Sequence, residues 1–367
     1  MKKKILALVC ALALAVGLVG CSLSTPSIVG KIGSYEVTSG MYLMAQFGAY
    51  QQAAQYASDE QDSTNVKTFL KQTITLDAET GETALVSDYV ADKTIEALRT
   101  YAAIDTRFQE MGGELTDVHL ALAERYAEQI MELYGDVYTA NGIGAETLKQ
   151  FQCLQLKNTM LLDLCYGETG STPVSDAELV EHLNSQMYEI AYVSIPLYNT
   201  STFVMASEEQ IAQMLERAQM VADTYNKNKP AEADSQITSF GSYANISLSS
   251  IFAVLGSEVS SASTLQRDLL GESDLIDAFT TEGSADTIRG LEFGEAAAFQ
   301  YSDYAIMMAV RVDPLGVSTL SEIRSEILSD CMGDTLTEEL LASGAAMANE
   351  LNASAMKKLP ATKIVLN

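Results

Sequence analysis

The segment GETGSTPVSDAEL, residues 167–179, divides the chain into two parts of different character. Its first half, Gly167 to Pro173, has the small, polar, proline-ended composition of a linker between domains. Its second half predicts the start of a helix. Ser175 and Glu178 have the spacing of a capping box, in which each side chain accepts a hydrogen bond from the backbone N–H of the other. A domain boundary is therefore predicted at the end of the linker.

Helical patterns dominate the N-terminal side of this segment. Before them, residues 28–38 (IVGKIGSYEVT) contain two short β-prone runs around Gly33-Ser34, which predicts a tight hairpin. The interruptions between the helical patterns are short, as in helical hairpins. The predicted helices cover residues 39–56, 85–111, 117–138 and 145–166.

Strand and helix signals alternate on the C-terminal side. Residues 189–197 (EIAYVSIPL) predict a buried strand, and Ser207 with Gln210 forms a second capping box that opens an amphipathic helix. Residues 231–275 are rich in Ser and Gly, and no element is predicted there. Residues 299–312 (FQYSDYAIMMAVRV) predict one further strand.

The end of the chain returns to a helical pattern. Residues 320–356 predict a long helix with kinks at Gly333 and Gly344, and residues 362–366 predict a terminal strand. The predicted fold class is therefore α+β. A mostly helical domain is built from residues 28–172 and 316–367, and a small α+β domain, residues 173–315, is inserted between them.

The first twenty residues have the parts of an export signal. Lys2 to Lys4 are basic, and the apolar run of residues 5–19 is too short to span a bilayer comfortably. The run ends Leu18-Val19-Gly20-Cys21, which resembles a bacterial lipobox. This pattern predicts removal of residues 1–20, lipidation of Cys21, a polar tether over residues 21–27, and a location on the extracytoplasmic face of the cell membrane. An ordinary signal peptide and an N-terminal anchor are the alternatives.

The composition excludes some classes of protein. The chain has 49 acidic and 22 basic side chains, a net charge of −27, so it repels phosphate backbones and no nucleic-acid partner is expected. Two histidines, with His119 expected at the surface, leave little for a metal site, and neither a metal nor a cofactor is predicted. Cys153 and Cys165 lie on one predicted helix, about 18 Å apart by helical rise, which is too far for a disulfide. They are predicted to be buried, small apolar residues.

The order of these parts on an exported chain resembles that of the parvulin-type foldases of the PrsA and SurA kind. In that group both ends of the chain build a helical chaperone domain, and a small prolyl isomerase domain is inserted between them. The resemblance implies a four-stranded antiparallel sheet with flanking helices in the inserted domain. The segments that carry it are Val29–Thr38 (VGKIGSYEVT), Val174–Leu179 (VSDAEL), Phe293-Gly294-Glu295 and Asp303-Tyr304-Ala305-Ile306.

The chain departs from the parvulin pattern at the proline pocket, where the family carries two histidines. Tyr192 stands at the first of these positions and Ala305 at the second, and the family's glycine-rich turn is reduced to Ser239-Phe240-Gly241-Ser242. The resemblance therefore implies a peptide-binding cleft without catalytic histidines, so no catalytic residue is assigned. The expected cleft residues are Tyr192, Ser194, Phe240 and Tyr304.

The predicted function is a membrane-anchored folding factor that binds unfolded or partly folded exported polypeptides, with its isomerase module impaired. Fifteen methionines suit adaptable binding, although helix cores also use Met. The alternatives are an active peptidyl-prolyl isomerase and a solute-binding lipoprotein. A solute-binding lipoprotein would require alternating strand and helix units, and the sequence does not show them. Motifs of other enzyme classes, such as GxSxG, a Walker loop, HExxH and CxxC, do not occur in the sequence.

Overall fold

The computed structural model describes residues 27–366, which form two compact units. One unit comprises the chain up to Pro173 together with the residues from Met332 onward, and the other runs from Val174 to Cys331. The predicted export signal, Cys21 and all but the last residue of the predicted tether lie outside the described residues. Within residues 27–366, every helix is too short or too polar to cross a bilayer.

The first unit opens with the predicted hairpin, β1 (Ile28–Ile32) and β2 (Tyr35–Thr38). The Thr38 side chain accepts a hydrogen bond from the backbone N–H of Met41 and caps α1 (Ser39–Ala54). The chain continues with α2 (Val66–Phe69) and a second hairpin, β3 (Thr73–Asp77) and β4 (Glu82–Leu85), which was not predicted.

Three long helices complete the N-terminal part of this unit: α3 (Val86–Glu110), α4 (Asp117–Ala140) and α5 (Ala145–Tyr166). α1 packs on α3, and α4 packs on α5 as a helical hairpin. His119 is half-exposed in the first turn of α4, where its Nδ1 accepts a hydrogen bond from the N–H of Thr116. This histidine therefore completes a capping box with Thr116, the N-cap residue of α4.

The second unit begins with α6 (Asp176–Gln186), and the predicted capping box of Ser175 and Glu178 is present at its start. The Ser207 and Gln210 box likewise opens the next long helix, α7 (Glu208–Lys227). The elements that follow α6 are β5 (Met187–Pro196), α7 (Glu208–Lys227), α8 (Ala233–Phe252), β6 (Gln266–Gly271), α9 (Glu272–Ala278), α10 (Ser284–Gly290), β7 (Ala296–Ser302), β8 (Ala305–Val312) and α11 (Pro314–Val317).

The strands of this unit form one antiparallel sheet in the order β6-β5-β8-β7. Because side chains alternate along a strand, the odd-numbered residues of β5, such as Ala191 and Val193, pack with α7 and α8 in the larger core. Even-numbered residues such as Ile190 and Tyr192 face the other side, where residues of α9 and α10 pack. The four-stranded antiparallel sheet with flanking helices agrees with the expectation.

The last segment carries the chain back to the opening hairpin. α12 (Leu320–Ala346) is followed by β9 (Asn349–Leu351), which pairs antiparallel with β1, and by α13 (Ala353–Met356). Asn141 fastens the final residues, because its side chain accepts from the N–H of Val365 at 3.0 Å and donates to the Val365 carbonyl at 2.7 Å. Both ends of the described chain thus build one mostly helical unit, and the residues between them in sequence form an α+β unit, which confirms the predicted fold class.

Several element predictions were wrong. Residues 299–312 are not one strand but parts of β7 and β8, which are joined by a turn at Asp303-Tyr304. The unassigned residues 231–275 contain α8 and β6. The long C-terminal helix ends at Ala346, where the chain becomes β9. The predicted strand at residues 362–366 is absent, and the chain there makes a 3-10 turn, Ala361–Lys363.

The second unit extends beyond residue 315, where the sequence placed its end. The first half of α12 belongs to it, because Arg324 makes an ion pair with Asp176 and donates to the Val174 carbonyl. His182 of α6 contacts Asp330 at 2.6 Å. Of the three described cysteines, all free, Cys165 is buried as predicted, whereas Cys153 and Cys331 are half-buried.

Candidate functional site

Four half-buried aromatic side chains lie on the side of the sheet opposite α7 and α8. We call this surface the aromatic face; its rings are Tyr188, Tyr192, Phe299 and Tyr301. They stand beside the buried side chains of Ile190 and Met307. Phe279, which follows α9, packs against this face with its ring centroid 5.9 Å from Phe299 and 5.8 Å from Tyr301. Packing against Phe279 therefore holds Phe299 and Tyr301, and all four rings of the face remain partly exposed.

Polar groups accompany these rings. The Tyr192 hydroxyl donates a hydrogen bond to Asp268 Oδ2 at 2.6 Å. The oxygen of this hydroxyl also lies 2.8 Å from Oε1 of Gln266. The hydroxyls of Ser194 and Tyr301 lie 2.9 Å apart. The aromatic face thus combines apolar rings with hydroxyl, carboxylate and amide groups.

Burial is the main cause that raises the pKa of Tyr192, and the adjacent Asp268 carboxylate raises it further. The phenol therefore stays neutral at ordinary pH and acts as a hydrogen-bond donor. Neither a histidine nor a cysteine contributes to the contacts of this cluster. Across residues 27–366 no three His, Cys, Asp or Glu side chains are grouped as a metal site would require. The chemistry available at the aromatic face is binding by ring contact and hydrogen bonds.

Phe240, one of the four expected cleft residues, lies elsewhere. It is fully buried in the core between the sheet and α7, with its ring 5.5 Å from Tyr225 in an edge-to-face contact. The expectation for Phe240 is wrong, because the segment that contains it forms the helix α8 and not a turn beside the pocket.

Tyr304 also lies away from Tyr192. It is 65% exposed in the turn between β7 and β8. The strand register pairs Ala305 with Pro196 and pairs Tyr192 with Ala309, four residues further along β8. At about 3.3 Å per residue this is a separation of roughly 13 Å. The expected meeting of Tyr192 with Tyr304 and Ala305 in one cleft therefore does not occur, and only Tyr192 and Ser194 share the aromatic face.

Sequence reasoning missed several residues of this face. Period-two alternation in β5 identifies Tyr188 as a neighbour of Tyr192, and the same alternation in β7 would have grouped Phe299 with Tyr301. Asp268 and its neighbours on β6 had no such signal, since the strand lies in a Ser- and Gly-rich stretch.

A turn at the end of β5 exposes further apolar side chains. Phe203 is 76% exposed and has a φ of 57°, a left-handed conformation that is rare for a bulky residue. The Asn199 side chain holds the turn by accepting from the N–H groups of Ser201 and Thr202 at 3.0 Å. The Phe203 ring stacks on Tyr198 at 6.1 Å. This turn therefore presents an aromatic ring to solvent in a defined position.

Comparison with known proteins finds similarity only at the level of solved structures. Neither a family model nor a curated protein matches the chain. Among solved structures the chain is similar to PrsA from Bacillus subtilis, with 13% sequence identity and a TM-score of 0.30. The alignment covers 78% of this chain and 93% of that chain. A TM-score this low supports no inference about function.

Proposed function

We propose that this protein is a lipid-anchored folding factor on the extracytoplasmic face of the membrane, where it binds unfolded or partly folded exported polypeptides. The aromatic face carries the proposal, because it places the hydroxyls of Tyr192, Ser194 and Tyr301 beside partly exposed aromatic rings. The basic and apolar leader followed by Cys21 supports the location.

The chemistry of an unfolded segment matches this surface. Such a segment exposes apolar side chains together with backbone groups that lack partners. Aromatic rings supply a large apolar contact, and tyrosine adds a polar end that can hydrogen-bond a peptide group. Because Phe279 already fixes Phe299 and Tyr301, binding costs little side-chain entropy. The exposed Phe203 adds apolar surface in the same unit.

Suppression of client aggregation tests the proposal. The full chain is expected to reduce light scattering when several chemically unfolded exported proteins are diluted into buffer. Tyr301→Ala combined with Phe203→Ser should weaken this effect. Tyr126→Ala, which removes an exposed tyrosine of α4 in the other unit, is the matched control and should not. Wild-type protein that leaves the aggregation of every client unchanged would refute the proposal.

The anchor is tested separately by mass spectrometry of the membrane fraction. The mature chain should begin at Cys21 and carry the mass of a diacylglyceryl group. Cys21→Ala should release the protein from the membrane. A mature N-terminus at another residue would contradict the lipoprotein assignment.

A second candidate is an active prolyl isomerase, which the neutral hydroxyl of Tyr192 beside aromatic rings favours. Isomerisation requires only that a pocket bind the twisted amide better than the planar one, against a barrier of about 18–20 kcal/mol. A proline peptide assay decides. Catalysis by the wild type that falls in Tyr192→Phe supports the enzyme, and an unchanged uncatalysed rate supports binding alone.

A further inference from the structure

A buried carboxylate lies at the start of β5, on the side of the sheet away from the aromatic face. Glu189 is 2% exposed and pairs across the sheet with Leu269. Its Oε1 accepts from Arg267 Nε at 2.7 Å. Its Oε2 is buried and has no hydrogen-bond partner among residues 27–366. A buried carboxylate oxygen without a partner is costly when the group is ionised, so it marks a place where a donor is missing.

Glu189 lines a pocket of about 280 Å³ between β6 and α12. Leu269 and Ile323 provide apolar wall, and Glu326 of α12 is exposed to solvent. The volume lies just below the usual range of ligand pockets, about 300–1,000 Å³, and suits one extended side chain or a small molecule.

The pocket is negative. The charged side chains that line it on this side of the sheet are Glu189 and Glu326 against the single cation Arg267, since the Asp268 carboxylate lies on the aromatic face with Tyr192. The Arg267 guanidinium also has a second partner, because its Nη2 donates to Ser318 Oγ at 3.0 Å. Burial is the main cause that raises the pKa of Glu189; the carboxylates of Glu326 and Asp313 add to it, while Arg267 opposes it. One guanidinium thus faces two carboxylates in the pocket lining, and a third carboxylate, Asp313, lies near enough to act on Glu189.

We propose that this pocket binds an ammonium or guanidinium group, with the cation shared by the carboxylates of Glu189 and Glu326 and its alkyl stem against Leu269 and Ile323. The group belongs either to a lysine or arginine side chain of a polypeptide or to a free alkylamine. A metal ion is a poorer occupant, because no group of three or more His, Cys, Asp or Glu side chains in the described part of the chain is arranged to hold one. The proposal goes beyond the folding function, which rests on the opposite face of the sheet.

Methyl NMR of the full chain in uncharged detergent tests the proposal, with labelled Leu and Ile reporting at Leu269 and Ile323. The probes are n-butylammonium chloride and the peptide acetyl-Ala-Lys-Ala-amide. The matched neutral probes are n-butanol and the same peptide with norleucine in place of lysine. Both charged probes, or one of them, should give saturable shifts at these methyl groups, and the neutral probes should not.

Variants locate the charge. Glu326→Gln, at an exposed position, should weaken binding by about fivefold or more, and Glu189→Gln should weaken it further. Glu181→Gln makes the same charge change at an exposed position of α6 outside the pocket and should leave the affinity unaltered. If Glu189→Gln loses the dispersed methyl spectrum of a folded protein, the comparison of Glu326→Gln with Glu181→Gln decides.

The outcomes separate the two sources. Saturation by the lysine peptide alone assigns the pocket to polypeptide side chains, and saturation by butylammonium alone assigns it to free amines; equal saturation by both supports a cation pocket that accepts either source. The proposal is overturned if neither charged probe shifts these methyl groups at concentrations up to about 10 mM. It is also overturned if Glu326→Gln and Glu181→Gln weaken binding equally, since the effect would then be one of net charge.

Discussion

Closure of the first unit by both ends of the chain depends on a glycine in β1. Gly30 has a φ of +145°, a conformation that L-residues avoid. A Cβ at this position would lie 2.5 Å from the Glu350 carbonyl oxygen and 2.7 Å from the Leu351 Cα, both of which are backbone atoms of the pairing strand. Gly30→Ala should therefore separate β9 from β1.

The size of the effect follows from two contributions. Backbone strain at such a position costs about 1–3 kcal/mol. Separation of the strands also breaks the bonds from the Asn352 N–H to the Val29 carbonyl, at 2.8 Å, and from the Gly33 N–H to the Ala348 carbonyl, at 2.9 Å. Each such bond contributes about 0.5–1.5 kcal/mol net. Gly30→Ala should thus lower the free energy of unfolding of this unit by about 2–6 kcal/mol.

Urea unfolding of the full chain and hydrogen exchange measure this loss. The matched control is Gly48→Ala in α1, where a Cβ meets nothing within 4 Å. That variant should stabilise the unit by about 0.5–1 kcal/mol, since alanine is the better helix former. Exchange of the Asn352 amide should accelerate in Gly30→Ala alone. A Gly30→Ala protein with wild-type stability and an equally protected Asn352 amide would refute the reasoning.

Three further perturbations have defined outcomes. Phe240→Ala should destabilise the second unit by about 3–5 kcal/mol in thermal unfolding, because the ring is fully buried; a change below 1 kcal/mol would place it outside the core. Asn141→Ala should cost about 1–3 kcal/mol and expose the Val365 amide to exchange, and retained protection there would contradict the contact. Glu189 has a raised pKa in the folded state, so its protonated form stabilises the fold at a pH below 4.5, the ordinary pKa of glutamate. This stabilisation is lost as the pH rises from 4.5 through the pKa of the folded state. Wild-type stability should therefore fall relative to Glu189→Gln over that window, and parallel urea-unfolding profiles would contradict it.

Short-range signals predicted much of this fold. The capping boxes that begin α6 and α7 are local, because each depends on two residues three positions apart, and both are present. The opening hairpin was likewise readable from Gly33-Ser34 between two β-prone runs. The return of the chain end to this hairpin was expected from the family resemblance and not from the residues of β9, a strand of three residues without a pattern of its own.

Elements without a local signal were missed. The turn at Asp303-Tyr304 contains no glycine, so two strands were read as one. α8 contains many serines, which are weak helix formers in isolation, and its formation depends on burial of Phe240 and Phe252 against the sheet. Packing of this kind is decided by residues distant in sequence.

For the candidate site, the sequence predicted only which residues of a single strand share a face of the sheet. Tyr192 and Ser194 are two positions apart on β5, so any strand places them on one face. The relation of Tyr192 to Tyr304 depends instead on the register of β5 with β8, which sequence does not specify to within four residues here.

The same alternation makes the two proposed sites separable. Glu189 and Tyr192 lie three residues apart on β5 and therefore point to opposite sides of the sheet. Substitutions at distant positions without shared partners usually act independently. Glu326→Gln should then weaken the binding of a cation while it leaves the suppression of client aggregation unchanged, and Tyr301→Ala should do the reverse. Loss of both activities in either variant would mean that the sheet itself had been disturbed, which the dispersed methyl spectrum would reveal.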